Sequence, residues 1–250
     1  MKIIHISDLH LSNGYYLPSL KENMREFINE TNPDLLIITG DMTMEGHPHE
    51  YEEVKDYIDS LKCEAKLIVP GNHDARNVGY EIFQELFGPR NSVYRSGGVV
   101  VVGIDSSQPD LDEGHIGRSN YPFIADNLKS GELKILALHH HLIPIPFAGR
   151  EQNIVTDAGD ALQVITEIGT HIVLSGHKHI PWIWKLEETH FINAGTATSV
   201  RVKGRTEQSF HMLVIDGATY TVNRIYARDF RQERLIAITI RRPGDRENNR

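Results

Sequence analysis

The chain has one cysteine, Cys63, among its 250 residues. A single thiol excludes an internal disulfide framework and fits a reducing compartment. It lies in Leu61-Lys62-Cys63-Glu64, apart from every polar cluster described below, and reads as structural. Long apolar runs are missing too. No stretch approaches the roughly twenty residues that a membrane-crossing helix needs. The sequence opens directly on Lys2-Ile3-Ile4-His5-Ile6, without the basic segment and apolar run of a secretory leader. A soluble cytoplasmic protein is the expectation. Positive charge is scarce as well, with 26 Lys and Arg against 34 Asp and Glu and a formal net charge of −8. Such a chain repels a nucleic-acid backbone unless a local basic patch overrides the mean. The arginines near the end (Arg228, Arg231, Arg234, Arg241, Arg242) alternate with acidic residues and read as a solvated tail or partner contact.

What is present is ordinary globular material, 40% hydrophobic and 24% charged, long enough to bury a sizeable core. Short β-branched runs occur at residues 2–6, 35–39, 66–69, 99–104, 133–138 and 172–175. They are continuously apolar rather than alternating, which suits strands covered on both faces. Between them, residues 19–30, 49–61, 80–87, 121–128 and 157–168 have helical patterns, four of them with an apolar stripe at helical spacing. Pro33 sets the end of the first, because proline biases the residue before it away from helical angles. After residue 180 the pattern changes. Residues 181–185, 189–193, 209–215, 219–226 and 233–240 read as successive strands joined by polar turns such as Asp216-Gly217, an antiparallel extension of a second sheet. One α/β domain over residues 1–242 is expected, with a C-terminal β extension from about 205 and a polar tail at 243–250.

Five polar blocks stand where a strand runs into a loop. They are Asp8-Leu9-His10, Gly40-Asp41, Gly71-Asn72-His73-Asp74, His139-His140-His141 and Gly176-His177-Lys178-His179. The chain has 14 histidines, and seven of them (His10, His73, His139, His140, His141, His177, His179) fall in these blocks. Loops at the C-terminal ends of parallel strands converge on one edge of a sheet, where ligands bind. Carboxylate, amide and imidazole donors brought together there are what two adjacent divalent metals require. The glycines at 40, 71 and 176 permit tight turns and a close approach of backbone to ligand.

This ordered set (Asp-x-His, Gly-Asp, Gly-Asn-His-Asp, His, Gly-His-x-His) resembles the calcineurin-like metallophosphoesterases over roughly residues 2–200. The resemblance implies a four-layer αββα sandwich, two mixed β-sheets face to face with helices outside. It implies that Asp8, His10 and His179 hold a first metal, that Asp41 bridges, and that Asn72, His139 and His177 complete a second. The metals of such families are commonly manganese, iron or zinc. Three histidines follow Leu138. The first, His139, is the expected ligand, His140 is expected behind the metal or against substrate, and His141 is expected to be structural. A metal-bridging hydroxide would attack phosphorus while both cations neutralise the transition state. His73 resembles the family's catalytic histidine, a general acid or transition-state donor that Asp74 would orient.

Gly114-His115-Ile116-Gly117, His139-His140 with Pro144 and Pro146, and Asn193-Ala194-Gly195-Thr196 with Ser199 and Arg201 resemble the cyclic-nucleotide phosphodiesterase branch. The branch's double proline directly after the paired histidines is absent; His141, Leu142 and Ile143 stand there. The expected substrate is a small phosphodiester, a cyclic nucleotide such as cAMP or a glycerol-type diester. His140, Arg150 and Asn193 are candidate substrate contacts, and Asn13, Gly14 and Tyr15 could shape another wall. The alternatives are a nuclease, a phosphomonoesterase or protein phosphatase, and a non-catalytic interaction module on the same fold. The strands after residue 205 offer edges through which two copies could pair as a homodimer.

Overall fold

The computed structural model describes residues 1–12, 14–149 and 153–239. Arg150, Asn13, Arg241, Arg242 and the 243–250 tail lie outside the described residues. Two six-stranded sheets stack face to face. In the first, β1 (Lys2–Ile6), β2 (Leu35–Thr39) and β3 (Ala65–Val69) run parallel. In the second, β5 (Val99–Gly103), β6 (Leu133–Ala137), β7 (Ile172–Ser175) and β9 (Thr189–Asn193) run parallel. Helices α1 (Pro18–Thr31), α2 (Pro48–Ser60) and α3 (Gly79–Phe87) pack outside the first sheet. Helices α4 (Tyr121–Leu128) and α5 (Ala158–Glu167) pack outside the second.

Strand alternation explains why the runs are apolar throughout. Successive side chains point to opposite faces. In β2, Leu35 and Ile37 enter the layer between the sheets, while Leu36 and Ile38 meet the helices. In β6, Leu133, Ile135 and Ala137 face the first sheet, and Leu136 faces α4 and α5. Both faces of each central strand are therefore dry. A fully buried Ile or Leu there contributes about 1.5–3 kcal/mol. The helix ends also follow the sequence. α1 starts at Pro18, where the missing N–H costs nothing, and stops at Asn32, whose φ of 43° is left-handed.

Two features differ from expectation. Strand β4 (Ser92–Ser96) pairs antiparallel with β5. Its Ser-Val-Tyr-Arg-Ser run is polar and half exposed, so it carries no apolar signature. The strands after residue 180 do not form one extension. β8 (Trp182–Leu186) and β9 complete the second sheet, with β9 parallel to β7. β10 (Ser209–Asp216), β11 (Thr219–Tyr226) and β12 (Gln232–Thr239) extend the first sheet instead, antiparallel, beginning beside β1. The free edge of β1 takes β10, and Met1 closes this seam by donating to Ile215 O at 2.9 Å.

Candidate metal centre

All five blocks sit at the C-terminal ends of parallel strands, and the loops lock onto one another through main-chain bonds. Asp8 N donates to Gly40 O at 3.0 Å, His10 N to Asp41 O at 3.0 Å and Gly176 N to His139 O at 2.9 Å. His177 N donates to both carboxylate oxygens of Asp8 at 3.0 Å. The approach is close enough to require glycine. A Cβ on Gly176 would strike Ser7 and Asp8, and one on Gly71 would strike the Asp41 carboxylate and amide. Asp8, His10, Asp41, His177 and His179 all hold φ between 45° and 74°. Left-handed backbone at non-glycine residues costs on the order of 1–3 kcal/mol each and clusters where function overrides local preference.

The ring nitrogens reveal what the loops are aimed at. His10 Nδ1 faces Thr43 O at 3.2 Å, and His179 Nδ1 faces Arg201 O at 2.6 Å. A carbonyl can only accept, so both protons sit on Nδ1 and both Nε2 atoms carry lone pairs. Those two Nε2 atoms stand 3.0 Å apart. Asp8 Oδ1 lies 3.3 Å from His179 Nε2. His139 repeats the pattern, its Nδ1 donating to Thr39 O at 2.7 Å. Its Nε2 lies 3.1 Å from Asn72 Oδ1 and 3.3 Å from Asp41 Oδ2. His177 Nδ1 lies 3.0 Å from the same Asn72 oxygen and 3.3 Å from His139 Nε2. Asp41 Oδ2 is also 3.8 Å from His10 Nε2, which puts one carboxylate oxygen between the two histidine groups. The facing His10 and His179 acceptors, with no proton between them, repel unless a cation joins them, so the donor set fits metal ions.

The electrostatics agree. Burial pushes the Asp41 carboxyl up, but His139, His73 and His10 outweigh it and hold the group well below the usual carboxylate range. Burial also opposes charge on His139, yet the Asp41 and Asp8 carboxylates lift that ring to about 9, so its Nε2 holds a proton toward Asp41 in the place a cation would take. His10 is pushed down to about 3 by burial. Two buried carboxylates among several buried imidazoles are costly for the fold to hold together unless countercharge enters.

His73 is half-buried beside this group, its ring edge-on to His10 at 4.8 Å between centroids. Its main-chain N donates to Asp41 Oδ1 at 2.9 Å, and its Nδ1 meets Met44 O at 2.6 Å. Asp74 does not orient that ring by a bond to it. The Asp74 carboxylate accepts from Met42 N, Thr43 N, Thr43 Oγ1 and Gly71 N, which ties the loop after β2 to the loop after β3. Burial, with Asp41 adding to it, raises its pKa to about 6. The Met44 carbonyl takes the orienting role, and Glu50 fixes its loop by accepting from the main-chain N of Met44, Glu45 and His47.

Other candidates have structural surroundings. His140 comes within reach of His139 and His177, but its Nδ1 pairs with Ser106 Oγ at 2.9 Å and its Nε2 with Asp112 O at 3.1 Å. Both nitrogens are thus engaged, leaving none for substrate or metal. His141 is buried, stacked on His177 with centroids 5.9 Å apart. Asn193 is buried, and its amide accepts from Ser175 Oγ and donates to Ile180 O and Ala194 O. It braces the loop that carries His177 and His179 rather than meeting substrate, because all its polar capacity here is directed into the protein.

A cavity of about 270 Å³ opens over the centre, walled by Asp41, Asn72, His73 and the two histidines of the last block. Arg76, Lys178, Arg201, Lys203 and Asp112 supply its charged rim. Sequence reasoning did not single out Arg76 or Asp112. Arg76 lies two residues past the Gly-Asn-His-Asp block, and Asp112 two residues before Gly114, so both positions carried a usable signal.

The layered fold and the clustered Asp, Asn and His donors define a metal-dependent phosphoesterase class. Residues 1–181 match the calcineurin-like phosphoesterase family, and the chain belongs to that family. A probable cyclic nucleotide phosphodiesterase of Rhodococcus erythropolis is 30% identical over 202 residues, covering 71% of this chain and 64% of that protein. A probable cyclic nucleotide phosphodiesterase of Synechococcus sp. is 28% identical over 158 residues, 62% of each chain. The chain thus spans somewhat under two thirds of the length of these relatives. Among solved structures, a purple acid phosphatase of yellow lupin superposes with a TM-score of 0.73 at 13% identity, covering 96% of this chain and 53% of that one. That likeness concerns the fold. Among the described residues no helix is long and apolar enough to cross a membrane.

Proposed function

We propose that the chain hydrolyses a small phosphodiester at a dinuclear metal centre, with a cyclic nucleotide such as cAMP as the leading substrate and a glycerol-type diester as the next. The observation that carries this reading is the convergence of the facing His10 and His179 Nε2 atoms, and of His139 Nε2, on the Asp8 and Asp41 carboxylates. In this reading Asp8, His10 and His179 hold one ion, Asn72, His139 and His177 hold the other, and Asp41 joins them. Manganese, iron and zinc all suit this mixed oxygen and imidazole set. When bound, the ions supply Lewis acidity toward the phosphate and lower the pKa of water.

The chain's own residues complete the chemistry. Asp41, Asp8 and the histidines fix where phosphorus sits. His73 Nδ1 is bonded to Met44 O, which leaves Nε2 to face the reacting group. The form that donates a proton to the leaving oxygen is the imidazolium, returned to the neutral ring as the alcohol departs. Arg201 brings positive charge to the rim, which suits an anion, while Arg76 is paired with Asp112 and Glu45. A cavity near the lower limit of ligand pockets suits a small one. Both sequence relatives named above bear cyclic-nucleotide phosphodiesterase names, which favours the cyclic diester over the alternatives. The net charge of −8 weighs against a nucleic-acid substrate. β12 lies at a sheet edge and offers a route to a homodimer.

The test is a manganese-loaded panel on the purified protein: bis-(p-nitrophenyl) phosphate, p-nitrophenyl phosphate, 3′,5′-cAMP and single-stranded DNA, each with a chelator control. Chelator-sensitive cleavage of cAMP and the model diester above the monoester is expected. Preferential cleavage of the monoester or of DNA would replace the substrate, and inactivity when the panel is repeated with iron and with zinc would remove the enzymatic reading.

A further inference from the structure

The side-chain amide of Asn72 can present oxygen or nitrogen to His139 and His177, because half a turn about its last bond exchanges them without changing shape. Only the oxygen can bind a cation. The group that decides is outside the ligand set. Asp112 Oδ1 accepts from Asn72 Nδ2 at 3.1 Å. A carboxylate there compels the NH2 to face outward and the oxygen to face the two histidines, 3.1 Å and 3.0 Å away. Asp112 is itself held. Arg76 Nη2 donates to the same Oδ1 at 3.0 Å, while Arg76 Nη1 reaches Glu45 Oε1 at 3.0 Å and Met44 O at 3.4 Å. That Met44 carbonyl is the acceptor for His73 Nδ1. The Asp112 main-chain oxygen meanwhile receives His140 Nε2. One acidic residue on the loop after β5 therefore touches Asn72 directly and is linked through Arg76 to the partner of His73.

We propose that Asp112, held by Arg76, is a positioning residue for the metal centre, and that it sets the Asn72 amide with its oxygen toward the ion shared by Asn72, His139 and His177. The inference rests on the dinuclear reading above. The Asp112 side chain is 50% exposed, so its loss opens no buried hole. An outer partner of this kind typically contributes 10- to 100-fold to metal affinity.

The experiment titrates the full chain, stripped of metal, with manganese alone and follows free and bound ion by electron paramagnetic resonance, together with thermal unfolding of the metal-free protein. The wild type should take up two ions. Asp112→Ala should bind one ion as the wild type does and the other about 10- to 100-fold more weakly, with unchanged unfolding of the metal-free form. Asp112→Asn keeps an acceptor oxygen for Asn72 and should restore the second site to within about threefold, the mark of amide orientation rather than of charge. Two tight ions in Asp112→Ala, or an Asp112→Asn protein as weak as Asp112→Ala, would overturn the proposal. Equal weakening of both sites together with earlier unfolding would overturn it as well, in favour of a merely structural role. A wild type that binds fewer than two ions would instead remove the dinuclear reading, which the variants are not needed to detect.

Discussion

Two groups of buried histidines lie on either side of one strand end, and of these two only one gathers donors that fit a metal. His5 on β1 and His211 on β10 are directly paired in the first sheet, essentially inaccessible, with rings stacked 5.6 Å apart. Five residues further along the chain from His5, His10 is equally buried. Burial pushes His5 and His10 alike down to about 3. The two differ in what their nitrogens face. His5 Nε2 pairs with the Thr39 hydroxyl at 2.9 Å, a group able to donate or accept. His10 Nε2 faces another lone-pair nitrogen and an aspartate. Neither the count of buried histidines nor a depressed pKa marks the site. Convergence of acceptors without a proton to share marks it, and it occurs where backbone has been forced into left-handed angles to produce it.

The largest effect expected from breaking this contrast comes at Asp41. Its Oδ2 stands between the two histidine groups, so Asp41→Ala should lose both metals and nearly all hydrolysis. Metal content per chain and turnover of a model diester report it. His5→Gln, by contrast, should retain both ions. An Asp41→Ala protein that kept two metals would show that the two groups do not share a bridge.

A smaller loss separates binding from chemistry inside the centre. His73 touches Asp41 through its main-chain N, a bond that any residue can make, whereas its ring meets Met44 O. His73→Ala should therefore keep both metals while turnover falls by about 10²–10⁴, the range for a lost acid catalyst. The loss should be least for leaving groups that need no proton, which comparison of p-nitrophenyl and alkyl esters measures. Normal turnover in a metal-loaded His73→Ala protein would remove the catalytic assignment.

The same contrast explains what the sequence made legible. The central strands could be read because both faces are buried, which leaves an unbroken apolar run, and each ligand block could be placed because it follows such a run within three residues. β4 was hidden because an edge strand with half-exposed faces needs no apolar run. β9 could not be distinguished from the antiparallel strands around it, since direction depends on which edge is free when the chain arrives. Asp74 and Asn193 show the limit at the site. Their residue types suit catalysis or substrate binding, but their polar atoms are directed into the loops they brace. Asp112 shows the converse, an acidic loop residue that acquires meaning only when folding brings it against Asn72 across 40 residues of chain.

The smallest predicted effect is thermodynamic and belongs to the paired His5 and His211. In the unfolded chain His5 titrates near its ordinary value of 6.5, while in the fold burial holds it neutral down to about 3, despite the opposing pull of Asp8. Between those values the unfolded state binds the extra proton, so stability rises with pH and is lost as pH falls below about 6.5. From pH 7 to pH 5 one such group accounts for about 2 kcal/mol. The titrations of His10, His139 and His177 also contribute to the slope of the metal-free protein, so the difference between proteins is what isolates His5. His5→Gln keeps an amide able to bond the Thr39 hydroxyl and removes the titration. Urea unfolding of the chelated proteins at both pH values should show the variant losing about 2 kcal/mol less than the wild type on acidification, whatever its stability at pH 7. Equal losses would mean that His5 is protonated in the fold, and the paired histidines of β1 and β10 would then share the electrostatic character of the metal centre that they are contrasted with here.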